Sequence, residues 1–290
     1  MSAHAAFRSE LTDADFDRLR VLIQRELGVQ VPSIKRAMIE GRLGRRMRET
    51  GAASVAEYCA ALLDRRDGDP ELVHFLDAVT VNVTSFFREP QQLERLAQKL
   101  VGISAGARAE QREVRVWSAA CSRGHEPWTL AMMLSELAPA PRFTVFGTDI
   151  STRVLADAIS AVYPEPDLDA VPAPLRARYF LRSRRGEAVV RVAPELRQRV
   201  HFGRLNLMGP SFAMEGGFDV ALLRNVLIYF DSATQRAVAG RVLSHVRPGG
   251  LLCVGLSESL HGHGLPATAL GLGIYQKTGL APNAGDGSER

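Results

Sequence analysis

Cysteine is scarce in this chain. Cys59, Cys121 and Cys253 stand far apart, with no C-x-x-C among them. That spacing argues against a disulfide framework and a cysteine zinc site, and fits thiols kept reduced in a cytoplasm. No run approaches the roughly 18 apolar residues that a membrane span needs. The opening "MSAHAAFRSELTDADF" lacks the apolar core of a signal peptide. Internal repeats are absent as well. Neither sign of charge dominates, since 36 basic residues against 32 acidic ones leave a net +4. What is present, 46% hydrophobic and 23% charged residues over 290 positions, suits a globular protein with one large domain and one small one.

The first part reads as helical. In "LTDADFDRLRVLIQREL", Thr12 is placed to cap a helix, with Asp15 at capping-box spacing. Phe16, Leu19, Leu22, Ile23 and Leu27 then share one face. Next comes "VPSIKRAMIEGRLGRRMRET" (31–50), where six basic residues face only Glu40 and Glu49. This segment carries an excess equal to the whole chain's, which suggests an acidic partner surface. Ile34, Met38, Leu43 and Met47 would form its inner face, and Arg42, Arg45 and Arg46 an outer one. "SVAEYCAALLD" and "PELVHFLDAVTVN" read as two further helices, giving a helical domain over 1–85.

From Val114 short apolar runs alternate with helical segments. "VRVWSAA", "FTVFGTDI", "RVHFGRLNL", "FDVALL" and "LLCVGL" are the strands. The helices start near Pro127, after Ser151, and through "SATQRAVAGRVLSHV", with Val238, Val242, Leu243 and Val246 inward and "RPGG" as the stop. Such alternation implies an α/β fold with a parallel sheet covered on both faces. Residues 163–197 interrupt it with five prolines and a strand–turn–strand pattern, "RYFLRSRRGEAVVRV", read as a small β-hairpin insertion. The larger domain then spans 86–280, and 281–290 form a disordered tail.

In open α/β sheets ligands sit beyond the carboxyl ends of the strands. There this sequence has "AACSRGHEP" with Gly124 and Glu126, then Asp149, Asn206, and Arg224 with Asn225. An acid at the end of the second strand suits ribose hydroxyls. The loop has no G-x-G-x-x-G, and a glutamate there repels a pyrophosphate. It suits a cationic amine, and so S-adenosylmethionine rather than a nicotinamide dinucleotide.

Five stretches in order, "NVTSFFRE" (82–89), "VWSAACSRGHEPW" (116–128), "GTDIS" (147–151), "NL" (206–207) and "RNVLIYFD" (224–231), resemble the CheR-type chemotaxis receptor methyltransferases. "GLSESL" (255–260) and the basic second helix fit as well. The resemblance implies a Rossmann-like S-adenosylmethionine-dependent methyltransferase domain behind a small all-α domain. It implies methyl transfer to glutamate side chains of methyl-accepting chemoreceptors, with S-adenosylhomocysteine as product and no metal. By the same resemblance, Asn82, Thr84 and Arg88 contact the cofactor, Glu126 holds its amino group, and Asp149 holds the ribose. Asn206 and Leu207 flank the adenine, and Leu223, Arg224 and Asn225 line the methionine end. Arg88 and Arg224 can each satisfy a carboxylate. Tyr229 lies near the transferred methyl, where it would hold the substrate carboxylate or face the sulfonium; Tyr229 and Arg88 are the catalytic candidates. Arg42, Arg45, Arg46 and Arg48 would meet an acidic receptor helix bundle in the cytoplasm.

The departures from the family pattern are His125, where "GEEP" becomes "GHEP", and Trp128, where tyrosine is common. His125 motivates a second reading, a non-catalytic regulator that binds S-adenosylmethionine. A third is methyl transfer to another acceptor. No aromatic residues interleave with the arginines as a nucleic-acid surface would require. The two histidines of "HGH" (261–263), at i and i+2, do not by themselves make a metal site.

Overall fold

The computed structural model describes residues 11–65, 68–183 and 185–279. The tail expected to be disordered, 281–290, lies outside them. The chain divides into two compact units. One runs to Val81, where the sequence pattern suggests 85, and takes in Asn206–Met208 and Tyr229–Asp231. The remainder forms the other.

The first unit is built from α1 (Asp13–Leu27), α2 (Arg36–Thr50), α3 (Val55–Leu63) and α4 (Pro70–Val79). Thr12 caps α1 as expected, its hydroxyl accepting from Asp15 N–H at 3.1 Å, and the five expected apolar residues are buried. Gly28 ends the helix at φ 70°, where a Cβ would also lie 2.5 Å from Met208 Sδ. Only glycine meets both demands.

In α2 the inner face is Ile39, Leu43 and Met47. Ile34 is instead 91% exposed, because Ser33–Lys35 form a separate 3₁₀ turn that sets it out of phase with the helix. Arg46 also departs from the expected outer face. It turns inward, its Nε donating to Glu71 Oε1 at 3.0 Å and its Nη2 to Glu71 Oε2. The Tyr58 hydroxyl donates to the same Oε1 at 2.6 Å. Burial pushes the Glu71 carboxyl up, but the bonds from Arg46 and Tyr58 outweigh it and hold it below the usual carboxylate range.

The second unit opens with α5 (Pro90–Ala109), followed by β1 (Val114–Ala119), α6 (His125–Ser135), β2 (Phe143–Asp149) and α7 (Thr152–Ser160). Next come β3 (Val162–Pro164), α8 (Ala173–Tyr179), β4 (Phe180–Arg182), β5 (Val189–Val192) and α9 (Pro194–Arg197). The chain then forms β6 (Val200–Arg204), β7 (Phe218–Leu223), α10 (Ser232–His245), β8 (Val246–Val254), β9 (Ala267–Gly271) and β10 (Ile274–Lys277). The main sheet has the order β6-β2-β1-β7-β8-β10-β9. Its first five strands are parallel, and β10 and β9 add antiparallel at one edge. Val114, Val116, Val145, Val220, Leu222, Leu251 and Cys253 form the buried centre of this α/β unit.

The hairpin of the insertion is β4 against β5, with Gly186 in its turn at φ 75°. A third strand, β3, pairs on the other side of β5. "RPGG" does not stop a helix as expected. Val246 already belongs to β8, and the four residues lie within that strand, where the pairing with β7 shifts register.

Candidate active site

Between β1 and β7 the chain reverses its direction of travel across the sheet, and the polar residues gather beyond the strand ends at this switch point. β7 is buried along its whole length and stops at Leu223. Arg224 follows at 7% exposure. A buried guanidinium needs anions, and two chain segments, Arg88–Glu89 and Glu126, supply its acceptors. Nη1 donates to Glu126 Oε2 at 2.7 Å, and Nη2 donates to Glu89 Oε2 at 3.0 Å and to the Arg88 carbonyl at 2.7 Å. Burial works against this charge, but Glu126 and Glu89 outweigh it and raise the pKa of the guanidinium.

Glu126 sits in the first turn of α6, where the helix dipole favours an acid, and also accepts from Ser118 Oγ of β1 at 2.7 Å. Glu89 precedes α5. Its Oε1 accepts from Asn225 Nδ2 at 2.9 Å and its Oε2 from Leu256 N–H at 3.1 Å. Burial pushes this carboxyl up; Asn225 and Arg224 together bring it below the ordinary value. Phe87, Glu89 and Asn225 all hold φ between 51° and 59°. Left-handed backbone at non-glycine residues gathers at functional sites.

Asp149 ends β2 as expected. Its Oδ2 accepts from Ser122 N–H at 2.8 Å and its Oδ1 from Ser151 N–H at 3.0 Å, so it orders the loop after β1 and the start of α7 together. Ser122 Oγ donates to the Asn82 carbonyl at 3.1 Å, which joins "NVTSFFRE" to the same loop. Arg88 Nη1 donates to the Val83 carbonyl at 3.1 Å, while Thr84 is half-buried. Cys121 is buried in this loop, and burial pushes its thiol well up, away from the reactive thiolate.

The structure thus brings together Asn82, Arg88, Glu126, Asp149, Leu223, Arg224 and Asn225. Asn206, Leu207 and Tyr229 belong to the helical unit. There Asn206 Nδ2 donates to the Glu26 carbonyl at 2.9 Å and its Oδ1 accepts from Met208 N–H, while the Tyr229 carbonyl accepts from Gln30 N–H. Arg45 and Arg48 are exposed on α2, Arg42 reaches the Thr80 carbonyl at 3.5 Å, and Arg46 is spent on Glu71 and Glu49. Sequence reasoning did not single out Glu89, Ser118 or Glu258. Glu89 stands inside a quoted motif directly before Pro90, where an acid opening a helix was the available signal.

His125 does not enter this network. Its ring, 1% exposed, packs against Phe86 at 4.6 Å and Tyr163 at 4.7 Å, and its Nε2 meets Asp167 Oδ2 at 3.2 Å. The departure from "GEEP" therefore falls on the packing side of α6, while Glu126 faces Arg224.

The donor set fits S-adenosylmethionine. Acids stand ready for hydroxyls and a cationic amine, and a carboxylate occupies the helix start where a phosphate would otherwise bind. Arg224 Nε is buried without a hydrogen-bond partner among the described residues, a donor left for a carboxylate.

Residues 82–271 match the family model described as CheR methyltransferase, SAM binding domain, and residues 14–80 match its all-alpha domain. A chemotaxis protein methyltransferase of Escherichia coli K12 is 38% identical over 255 residues, covering 87% of this chain and 86% of that protein. Chemotaxis protein methyltransferase 2 of Pseudomonas aeruginosa is 38% identical over 251 residues, with 86% and 87% covered. The Borreliella burgdorferi chemotaxis protein methyltransferase is 31% identical over 259 residues, with 87% and 90% covered. The chain belongs to the CheR methyltransferase family, and its α/β unit is an S-adenosylmethionine-dependent methyltransferase domain.

Proposed function

We propose that this chain methylates glutamate side-chain carboxylates in the cytoplasmic domain of bacterial chemoreceptors, forming glutamate methyl esters and S-adenosylhomocysteine. The observation that supports it is the buried Arg224 held between Glu126 and Glu89 beside a half-buried Asn225, beyond strands that end in Asp149 and Leu223. That arrangement positions groups. It contains no base poised over a nucleophile, and the proposed acceptor needs none, because a glutamate is already ionised at neutral pH. S-adenosylmethionine supplies an electrophilic methyl group on a sulfonium.

The roles follow the family motifs. Asp149 holds the ribose hydroxyls, Glu126 the amino group, and Arg224 and Asn225 the methionine end, with Asn82, Thr84 and Arg88 closing from the segment before α5. Asn206 and Leu207 take the adenine, and Tyr229 takes the acceptor carboxylate. Orienting two bound reactants is then the main source of acceleration. On the helical unit, exposed Arg45 and Arg48 offer charge to an acidic receptor surface.

Calorimetry with S-adenosylhomocysteine tests the donor site. Wild type binds in the micromolar range, and Asp149→Ala weakens binding by about a hundredfold, as expected when a charged hydrogen-bond acceptor is lost. Incubation with labelled donor and a soluble receptor fragment tests the acceptor. Label that base releases as methanol marks a carboxyl ester; base-stable label, or none, overturns the glutamate assignment.

A further inference from the structure

We infer that Glu258, in the turn after β8, is a positioning residue for the methyl-donor site. This rests on the function proposed above. Glu258 is 9% exposed, and no cationic side chain pairs with it among the described residues. Its carboxylate is satisfied by three backbone N–H groups instead. Oε2 accepts from Gly255 at 2.6 Å and from Asn225 at 2.9 Å, and Oε1 accepts from Ile228 at 3.2 Å. Asn225 and Ile228 belong to the loop after β7, whose chain turns at Asn225 with φ 58°. Glu258 is the acceptor for both of those amides, so it holds the loop at its two ends.

The contact closes a ring. Glu89 Oε1 accepts from the Asn225 side chain, Asn225 N–H donates to Glu258, Glu258 accepts from Gly255 N–H, and the next residue, Leu256, donates its N–H to Glu89 Oε2. Two carboxylates from distant parts of the chain thereby grip Asn225, one by its side chain and one by its backbone. Arg224, one residue earlier, takes its direction toward Glu126 from the same grip. A Cβ at Gly255 would lie 2.6 Å from Asn225 Nδ2 and 2.8 Å from Glu258 Oε2, so both side chains of the ring would have to shift. Charged hydrogen bonds in a closed, partly buried ring reinforce one another. A glutamine at 258 keeps the shape but turns an N–H₂ toward a backbone N–H. An aspartate keeps the charge but falls short by one methylene.

The test uses the full chain. In Glu258→Gln, affinity for S-adenosylhomocysteine should fall about tenfold, the effect of one lost charge-assisted hydrogen bond. KM for the methyl donor should rise alike, while KM for the receptor fragment stays within about twofold. A merely destabilised enzyme would lose active fraction, lowering kcat with both KM values unchanged. Amide hydrogen exchange at Asn225 and Ile228 should quicken, and Glu258→Asp should recover part of the affinity. Wild-type affinity together with unchanged exchange at those amides in Glu258→Gln would overturn the inference. Should Glu258→Gln fail to fold, Gly255→Ala decides, since it keeps the carboxylate and wedges a methyl group into the ring; wild-type affinity there overturns the inference equally. If the wild type binds S-adenosylhomocysteine but esterifies no receptor, the acceptor assignment fails alone, and affinity and exchange still judge Glu258.

Discussion

His125 has one ring nitrogen with a partner and one without. Nε2 faces Asp167, and Nδ1 is buried with no hydrogen-bond partner among the described residues. A neutral ring with its proton on Nε2 leaves only a bare lone pair at Nδ1, whereas protonation would bury an unmet donor. Burial accordingly pulls the pKa below its ordinary 6.5, more strongly than the Asp167 hydrogen bond raises it. As pH falls, the unfolded chain takes up this proton first, so the contribution to stability is intact above 6.5 and erodes below it. The melting temperature should decline between pH 7 and 5, and His125→Gln should flatten that decline; an unchanged slope would show that other groups carry it. From sequence alone His125 is a substitution beside a site acid, and only the structure shows that the two side chains of "HE" point opposite ways. Arg224 was legible for the reverse reason. A charge directly after an unbroken apolar strand has to be at the strand's end, where an open sheet keeps its ligands.

At the scale of elements, α2 separates its arginines by task. Arg46 and Glu71 form a largely buried pair to which Tyr58 adds a third bond, so removing the acid strands the Tyr58 hydroxyl and leaves Arg46 with Glu49 alone. Glu71→Ala should cost roughly 3 kcal/mol of stability in chemical denaturation. Arg45→Glu combined with Arg48→Glu should leave stability and S-adenosylhomocysteine affinity alone and slow receptor methylation about fivefold at low salt, less at high salt, as expected of rim charges. Equal methylation by that double variant would remove α2 from the docking surface. Periodicity located α2 and set Leu43 and Met47 inward as found, but placed Ile34 and Met38 there in place of Ile39. Spacing counted from Ile34 runs through a 3₁₀ turn, which advances the side chains by a different angle. The strand β9 escaped notice because "ATALG" lies at an exposed sheet edge, where alternation of apolar and polar residues is not enforced, and β10 because its four residues are too few to show a period. The third strand of the insertion is three residues long and ends in a proline, too short to show a period.

For the molecule as a whole, two units and a mostly parallel sheet follow from a shift in pattern that any reading of the chain would meet, helical periods first and alternation after. The pairing that makes the site does not follow, because it joins residues remote in sequence. The ring at Asn225 spans 136 residues to Glu89 and 33 to Glu258, and it closes over 167 between Leu256 and Glu89. Contacts of such separation carry a high loop-closure cost and form after the local structure they connect. The methyl-donor site should therefore assemble behind the rate-limiting barrier to folding. Glu258→Gln and Glu89→Gln should speed unfolding in stopped-flow experiments and leave the folding rate almost unchanged. The enzyme would then open its site more often than it unfolds, and occupancy by the methyl donor would set how long each molecule survives.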